Sequence, residues 1–367
     1  MTPTEMFTTS DHVFMSQALQ LAEKGLYTTS PNPRVGCVIT RNNQVVGNGW
    51  HEAAGQPHAE INALAMTGEM ARGATAYVTL EPCNHHGRTP PCVNALIQAG
   101  ITRVLVAMED PNPLVRGGGI EALRQAGVLV QSGLMQHQAE VLNAGFVKRM
   151  RQKKPWVRLK MAASLDGKTA LKNGQSQWIT GEAARRDGHH WRARSCAVLT
   201  GIGTVIADNP QLTVRHVPTS RQPRKVIIDN RLAIPLDTDV LSGETVYIFT
   251  TSTEKMEKID KLEKMGVNVI PIEQSDQGRV NLVDVMTTLA QLECNEILVE
   301  AGSILNGALI QAGLVDELII YIAPSLLGSN ARDMFQLPEL SSLDQKFTLK
   351  IDDVRMIGQD IRVIAHL

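Results

Sequence analysis

The chain has 367 residues, long enough for two domains that each bury a core. Its 36 basic and 37 acidic residues leave a formal net charge of -1. That excludes the basic surplus a nucleic-acid-binding protein uses against phosphate. No stretch reaches the roughly 18 consecutive apolar residues of a membrane span. The start, Met1-Thr-Pro-Thr-Glu5, lacks a basic and apolar leader, and the 5 cysteines are scattered. A cytoplasmic, reducing location is therefore expected, with thiols free for metal.

In chain order, Ser10 and Asp11 offer N-caps to a helix marked by Phe14, Ala18, Leu21 and Ala22 and stopped at Gly25. A strand is predicted over 34–40, a turn at Arg41-Asn42-Asn43 and a return strand over 44–50. A helix over 58–70, a strand over 74–80, a helix over 91–98 and a strand over 103–108 follow. A helix over 120–125, a strand over 128–131 and a helix over 136–150 close the first half. The alternation predicts an α/β domain with a largely parallel sheet covered on both faces.

The polar stretch 151–154, ending at Pro155, divides the chain into domains 1–150 and 151–367. The second half is also α/β. Strands are expected over 157–163, 196–200, 225–229, 245–250, 268–271, 296–300, 317–323, 348–354 and 360–366. Helices are expected over 181–194, 282–292 and 302–313.

Chemistry concentrates at His58-Ala59-Glu60, Pro82-Cys83 and Cys92. Pro57 and Pro90-Pro91 place two of these pieces at helix starts, where the local potential is positive and favours thiolate. One imidazole and two thiolates suit Zn²⁺ with a fourth position left for water, whose pKa the metal lowers. Glu60 can then take a proton from the attacking water and return one to a departing amine. A nucleobase deaminase uses this set, His, two Cys and a non-ligand Glu, although its usual cysteine spacing is two residues rather than eight. A closed structural site, with His85 or His86 as fourth ligand, is the other reading of the same residues.

The run Glu81-Pro-Cys-Asn-His-His-Gly-Arg-Thr-Pro-Pro-Cys92 resembles that of the bifunctional riboflavin-biosynthesis deaminase–reductases. Pro31-Asn-Pro-Arg-Val-Gly36, Gly55-Gln-Pro-His-Ala-Glu60 and Asp110-Pro-Asn-Pro113 resemble it too, and the long cysteine spacing belongs to that family. Asn84 stands where Ser is common. The resemblance implies a cytidine-deaminase-like N-terminal domain, zinc on His58, Cys83 and Cys92, and Glu60 as proton shuttle. It implies substrate contacts for Asn32, His51, His85 and Arg88, Arg88 suiting a phosphate.

The second half has no dinucleotide fingerprint: Thr200-Gly-Ile-Gly-Thr204 carries two glycines, and Ala207 stands in place of the third. Lys160-Met-Ala-Ala-Ser-Leu-Asp-Gly167, Ser176-Gln-Trp-Ile-Thr180, Ala207-Asp-Asn-Pro210 and Glu300-Ala-Gly302 nevertheless resemble the family's reductase half. That half is dihydrofolate-reductase-like and uses NADPH. The resemblance places Ala162, Trp178, Thr204, Asp208, Asn230 and the turn Gly302, Ser303, Ile304, Leu305, Asn306, Gly307 on NADPH. It places Ser176, Arg192, Leu212, Arg215 and Glu300 on substrate, with Lys160 and Glu300 managing proton and charge. Asn209 departs from a usual Asp and Asn230 from a frequent Ser.

The expected reaction is zinc-dependent deamination of a diaminopyrimidine ribotide followed by NADPH-dependent reduction of its ribose to a ribityl chain. The expected partners are this small molecule and further copies of the chain, not nucleic acid or membrane. A nucleic-acid base deaminase and a binding protein with structural zinc are the rival classes. The neutral charge opposes the first and Glu60 the second.

Overall fold

A computed structural model describes residues 7–84, 91–113 and 115–367. The chain divides into two compact units, Met1–Lys153 and Lys154–Leu367.

The first unit runs α1 (Thr9–Glu23), β1 (Gly36–Arg41), β2 (Gln44–Trp50), α2 (Ala59–Ala65), β3 (Thr75–Val78), α3 (Cys92–Gln98), β4 (Arg103–Val106), α4 (Gly118–Gln125), β5 (Leu129–Ser132), α5 (Gln136–Leu142) and α6 (Ala144–Gln152). The strand order is β2-β1-β3-β4-β5. The sheet is mixed rather than largely parallel: β1 is antiparallel to both β2 and β3, and only β3, β4 and β5 run parallel. The hairpin causes this, because Asn42 and Asn43 take φ of 52° and 59° and turn β1 straight back into β2.

Alternation along each strand feeds two cores. Cys37, Ile39, Ala76, Val78, Val104 and Val106 face Ala59, Ala63, Val93, Leu96 and Leu123 on one side. Val38, Tyr77 and Leu105 face Phe14, Met15, Ala18 and Val147 on the other. Gly49 lets α2 lie directly on the sheet, since a Cβ there would meet the Ala63 nitrogen at 2.6 Å.

Several boundaries differ from the sequence reading, three of them for a clear physical reason. Thr8 caps α1 rather than Ser10 or Asp11: its Oγ1 accepts from Asp11 N, and Asp11 Oδ2 accepts from Thr8 N, a reciprocal capping box. The helix over 58–70 ends at Ala65, and Gly68, at φ 51°, starts a separate 3₁₀ turn. The helix over 136–150 breaks at buried Asn143, whose amide exchanges hydrogen bonds with the Arg34 backbone at 2.8 and 2.9 Å.

The second unit contains β6 (Trp156–Ser164), β7 (Lys168–Ala170), α7 (Glu182–Arg194), β8 (Ala197–Gly201), α8 (Ile202–Asp208), β9 (Arg224–Ile228), β10 (Val246–Thr250), α9 (Met256–Lys264), β11 (Val267–Pro271), α10 (Leu282–Gln291), β12 (Glu296–Val299), α11 (Ser303–Gln311), β13 (Glu317–Ala323), β14 (Arg332–Asp333), β15 (Lys350–Ile357) and β16 (Asp360–His366). Its main sheet has the order β11-β10-β9-β8-β12-β6-β13-β16-β15. Neighbours from β11 to β13 are parallel, and β16 and β15 add an antiparallel edge.

Leu159, Leu199, Val226 and Ile297 pack under α10 and α11, while Val198, Ile227, Leu298 and Tyr321 pack under α7, α8 and α9. Among the described residues, no helix is long and apolar enough to cross a membrane. Both units are α/β.

From β8 the chain winds outward through β9, β10 and β11, then returns through β12 and moves the other way to β13. The gap between the carboxyl ends of β8 and β12 is thus a switch point, where an open α/β sheet leaves a crevice for ligand.

Candidate active sites

In the first unit, β2 leads into Pro57 and α2, which presents His58 as its N-cap and Glu60 in its first turn. β3 leads into Glu81-Pro82-Cys83, and α3 begins at Cys92. His58 Nδ1 lies 3.2 Å from Cys92 Sγ and 3.5 Å from Cys83 Sγ, and Cys92 N donates to Cys83 Sγ at 3.4 Å. The three donor atoms all lie within 4.8 Å of one another.

The sulfur–sulfur contact, together with His58, draws the Cys83 thiol down to about 4. The same contact, with burial, pushes Cys92 up. One thiolate is thus favoured and the second needs a cation beside it, so this donor set fits Zn²⁺. Glu60, 3% exposed, sits against this corner, and burial pushes its carboxyl up to about 7.

His51 Nδ1 lies 3.1 Å from Pro57 O, which can only accept, so that nitrogen carries the proton. Its Nε2 then accepts from Asn32 Nδ2 at 3.0 Å, and burial depresses the ring's pKa, keeping it neutral. Among the described residues, this chain of bonds leaves Asn32 Oδ1 free to accept from a ligand donor. The His51 and His58 rings meet edge to face at 5.5 Å. His85, His86 and Arg88 lie outside the described residues.

The sequence reading missed what holds Cys83. Buried Glu81 accepts four backbone N–H bonds, from Asp110 and Gly117 on Oε2 and from Gly119 and Ile120 on Oε1, at 2.9–3.2 Å. It pins the Pro82-Cys83 loop to the start of α4. A Cβ on Gly119 would sit 2.0 Å from Pro82 O, so that approach requires glycine. The sequence signal was available: a carboxylate directly before the ligand loop, and Gly117-Gly118-Gly119 at a helix start.

In the second unit a cleft of about 1960 Å³ opens at the switch point. Lys160, Ser176, Arg192, Leu212, Arg215 and Glu300 line it. So do Ala162, Trp178, Thr204, Asp208 and Asn230, and Gly302 to Leu305 at the start of α11. Asn306 and Gly307 turn away from it. Asn306 is buried with Nδ2 donating to Met334 O at 3.2 Å, and a Cβ on Gly307 would meet Gln336 O at 2.0 Å. Asn209 Oδ1 accepts from Asp239 N at 2.9 Å, which anchors a neighbouring loop.

Glu300 is the charge centre of the cleft. Arg192 holds it from two nitrogens at 2.6 and 3.0 Å, and Lys160 Nζ approaches at 3.7 Å. Burial alone would raise this carboxyl; the two cations outweigh it and hold it at about 2. His189, also missed from sequence, accepts from Arg215 N at 3.2 Å, fixing the backbone that carries that cation. The volume, the glycine-preceded start of α11 and the flanking cations fit a dinucleotide such as NADPH beside an anionic substrate.

Residues 8–108 match the model of the cytidine and deoxycytidylate deaminase zinc-binding region, and residues 155–363 that of the RibD C-terminal domain. The second match covers more than half of the chain. The chain belongs to the RibD family. It is 48% identical to the riboflavin biosynthesis protein RibD of Escherichia coli over 96% of this chain and 98% of that one. It is 47% identical to that of Haemophilus influenzae over 97% of each. Among solved structures, Acinetobacter baumannii RibD matches with a TM-score of 0.91 at 47% identity, over 97% of this chain and 98% of that chain. A Thermotoga maritima diaminohydroxyphosphoribosylaminopyrimidine deaminase/5-amino-6-(5-phosphoribosylamino)uracil reductase matches at 0.86 and 32%, over the same shares.

Proposed function

We propose that the chain performs both reactions named for its Thermotoga maritima relative: deamination of the diaminopyrimidine ribotide, then reduction of 5-amino-6-(5-phosphoribosylamino)uracil at its ribose, within riboflavin biosynthesis. The observation that carries this reading is the pairing of a His58-Cys83-Cys92 corner backed by Glu60 in one unit with a Lys160-Arg192-Glu300 cleft in the other.

In the first unit His58, Cys83 and Cys92 hold Zn²⁺, which supplies Lewis acidity when bound. Glu60 takes the proton of the attacking water and delivers one to the departing amine. Asn32, oriented by His51, accepts from the pyrimidine and fixes its ring. Arg88 and His85 complete the substrate contacts.

In the second unit NADPH would supply hydride, and the Gly302 turn at the start of α11 would hold its phosphates. Arg215 and Ser176 bind the ribotide. Arg192 and Glu300 set the charge around the reacting sugar, and Lys160 supplies a proton.

Incubating the protein with the diaminopyrimidine ribotide and NADPH should release ammonia and oxidise NADPH in equal amounts. The two activities should also separate at the division between Lys153 and Lys154. A fragment ending near that point should deaminate without NADPH, and the remainder should reduce pre-deaminated substrate. Ammonia release with no NADPH oxidation by either the whole chain or the second fragment would overturn the reductase assignment.

We also propose that the chain is a homo-oligomer. Edge strand β15 exposes Ile351, Val354 and Met356 at 58–61%, an apolar edge that a second copy would cover. Sedimentation should give at least a dimer, and Val354→Lys with Met356→Lys should give a monomer.

A further inference from the structure

One face of α7 forms a wall of the reductase cleft. Arg185, Gly188, His189 and Arg192, three and four residues apart, all line it. The segment 211–216 is tied to this face. Arg192 Nη1 donates to Thr213 O at 2.9 Å, Arg215 N donates to His189 Nδ1 at 3.2 Å, and the His189 and His216 rings meet edge to face at 4.7 Å.

These contacts fix the state of His189. A backbone N–H can only donate, so Nδ1 accepts and carries no proton. The ring proton therefore sits on Nε2. Protonating Nδ1 as well would set two N–H groups against each other. Burial pushes the ring's pKa down to about 4, and the nearby Arg192 and Arg215 add to the effect. Among the described residues Nε2 has no acceptor, although the ring belongs to the cleft wall. His189 thus offers the cleft a neutral donor of fixed direction.

The cations nearby show what that donor meets. Arg192 is neutralised by Glu300 through two hydrogen bonds, and Lys160 approaches the same carboxylate. Arg215 is different. Its Nη1 donates to two neutral oxygens, Gln211 Oε1 at 3.2 Å and Thr213 Oγ1 at 3.1 Å, and among the described residues it has no carboxylate partner. An anion at this wall finds its uncompensated charge at Arg215 and an unused N–H on the neighbouring ring. The anionic group of a ribotide is its phosphate, whose oxygens can accept from both.

We propose that His189 Nε2 donates to the phosphate of the ribotide alongside Arg215, making His189 a specificity-determining residue of the reductase. The proposal rests on the reading of this cleft as the reductase site.

The test is NADPH oxidation by the full-length, zinc-loaded protein with 5-amino-6-(5-phosphoribosylamino)uracil and with its dephosphorylated riboside. The native protein should favour the ribotide in kcat/KM. His189→Met keeps the volume without an N–H, and should lower that preference about tenfold through the KM for ribotide, the worth of one hydrogen bond to a charged group. The same loss should recur in an Arg215→Met background, because the phosphate contact is His189's own. His189→Gln should restore the preference, its carboxamide oxygen accepting from Arg215 N and its NH₂ donating to phosphate. An unchanged preference in His189→Met, or a loss that vanishes in Arg215→Met, would reduce His189 to a prop for the Arg215 backbone and overturn the proposal while the cleft assignment stands. Should His189→Met lose NADPH binding and so its fold, His189→Glu against His189→Gln decides. Glutamate also accepts from Arg215 N but turns a carboxylate toward the phosphate, so equal preferences in that pair would overturn the proposal. If the native protein reduces neither substrate, the reductase reading itself fails.

Discussion

Glu60→Gln should leave zinc bound and abolish ammonia release. Glutamine fills the same buried space and can hydrogen-bond a water, but it cannot accept that water's proton or return one to the amine. One positioned proton transfer contributes roughly 10²–10⁴-fold, and Glu60 serves two, so the loss should be about 10⁴-fold or more. Metal content should not change, because the donor triangle consists of His58, Cys83 and Cys92 without Glu60. Cys83→Ser should behave differently, losing metal and deamination together. Reduction of pre-deaminated substrate should persist in both variants, since Lys160, Arg192 and Glu300 belong to the other unit. The measurements are zinc by atomic absorption, ammonia by a coupled assay and NADPH by absorbance. Zinc loss in Glu60→Gln would make Glu60 a ligand or a structural support. Ammonia release near the native rate would place the proton relay on another group.

The zinc corner was legible because its parts announce themselves locally. His58 and Glu60 are two residues apart at a helix start, and Cys83 and Cys92 bracket a short stretch that ends in Pro90-Pro91. What supports the corner was not legible, because it depends on pairs distant in sequence. Glu81 acts through backbone groups about thirty to forty residues away, and the break at Asn143 depends on Arg34. Strand direction was equally hidden. Alternation shows that β1 is a strand with a buried face, but it says nothing of whether β3 runs with it or against it.

Short or polar helices escaped for a different reason. α8 has seven residues with Gly203 in its first turn, and α9 is nine residues with only three apolar positions, Met256, Ile259 and Leu262, whose spacing of three was nevertheless there to be read. Helix geometry also divides the 302–307 turn, which a linear motif treats as a unit. Its first four residues line the cleft, and the next two have rotated onto the 334–336 segment.

Lys160→Met should stop the reductase while the deaminase continues. Lys160 projects from β6 to within 3.7 Å of Glu300, whose other side is occupied by Arg192. Reduction requires the C1'–O4' bond of the ribosylamine to break, with O4' taking a proton and C1' taking hydride. A lysine ammonium beside the reacting sugar can give that proton, and the Glu300 carboxylate holds the ammonium in place. Removing it should slow NADPH oxidation by about 10²–10⁴-fold with pre-deaminated substrate. Ammonia release should be unchanged. NADPH binding, read by quenching of protein fluorescence, should also persist, because Arg192 still neutralises Glu300.

Lys160→Arg separates proton donation from simple charge. Arginine keeps a cation beside Glu300 but is too weak an acid to release a proton. If Lys160 donates the proton, the Arg variant should be nearly as slow as the Met variant. Recovery of most of the rate in Lys160→Arg would reduce Lys160 to an electrostatic partner of Glu300. A near-native rate in Lys160→Met would remove it from the reaction altogether.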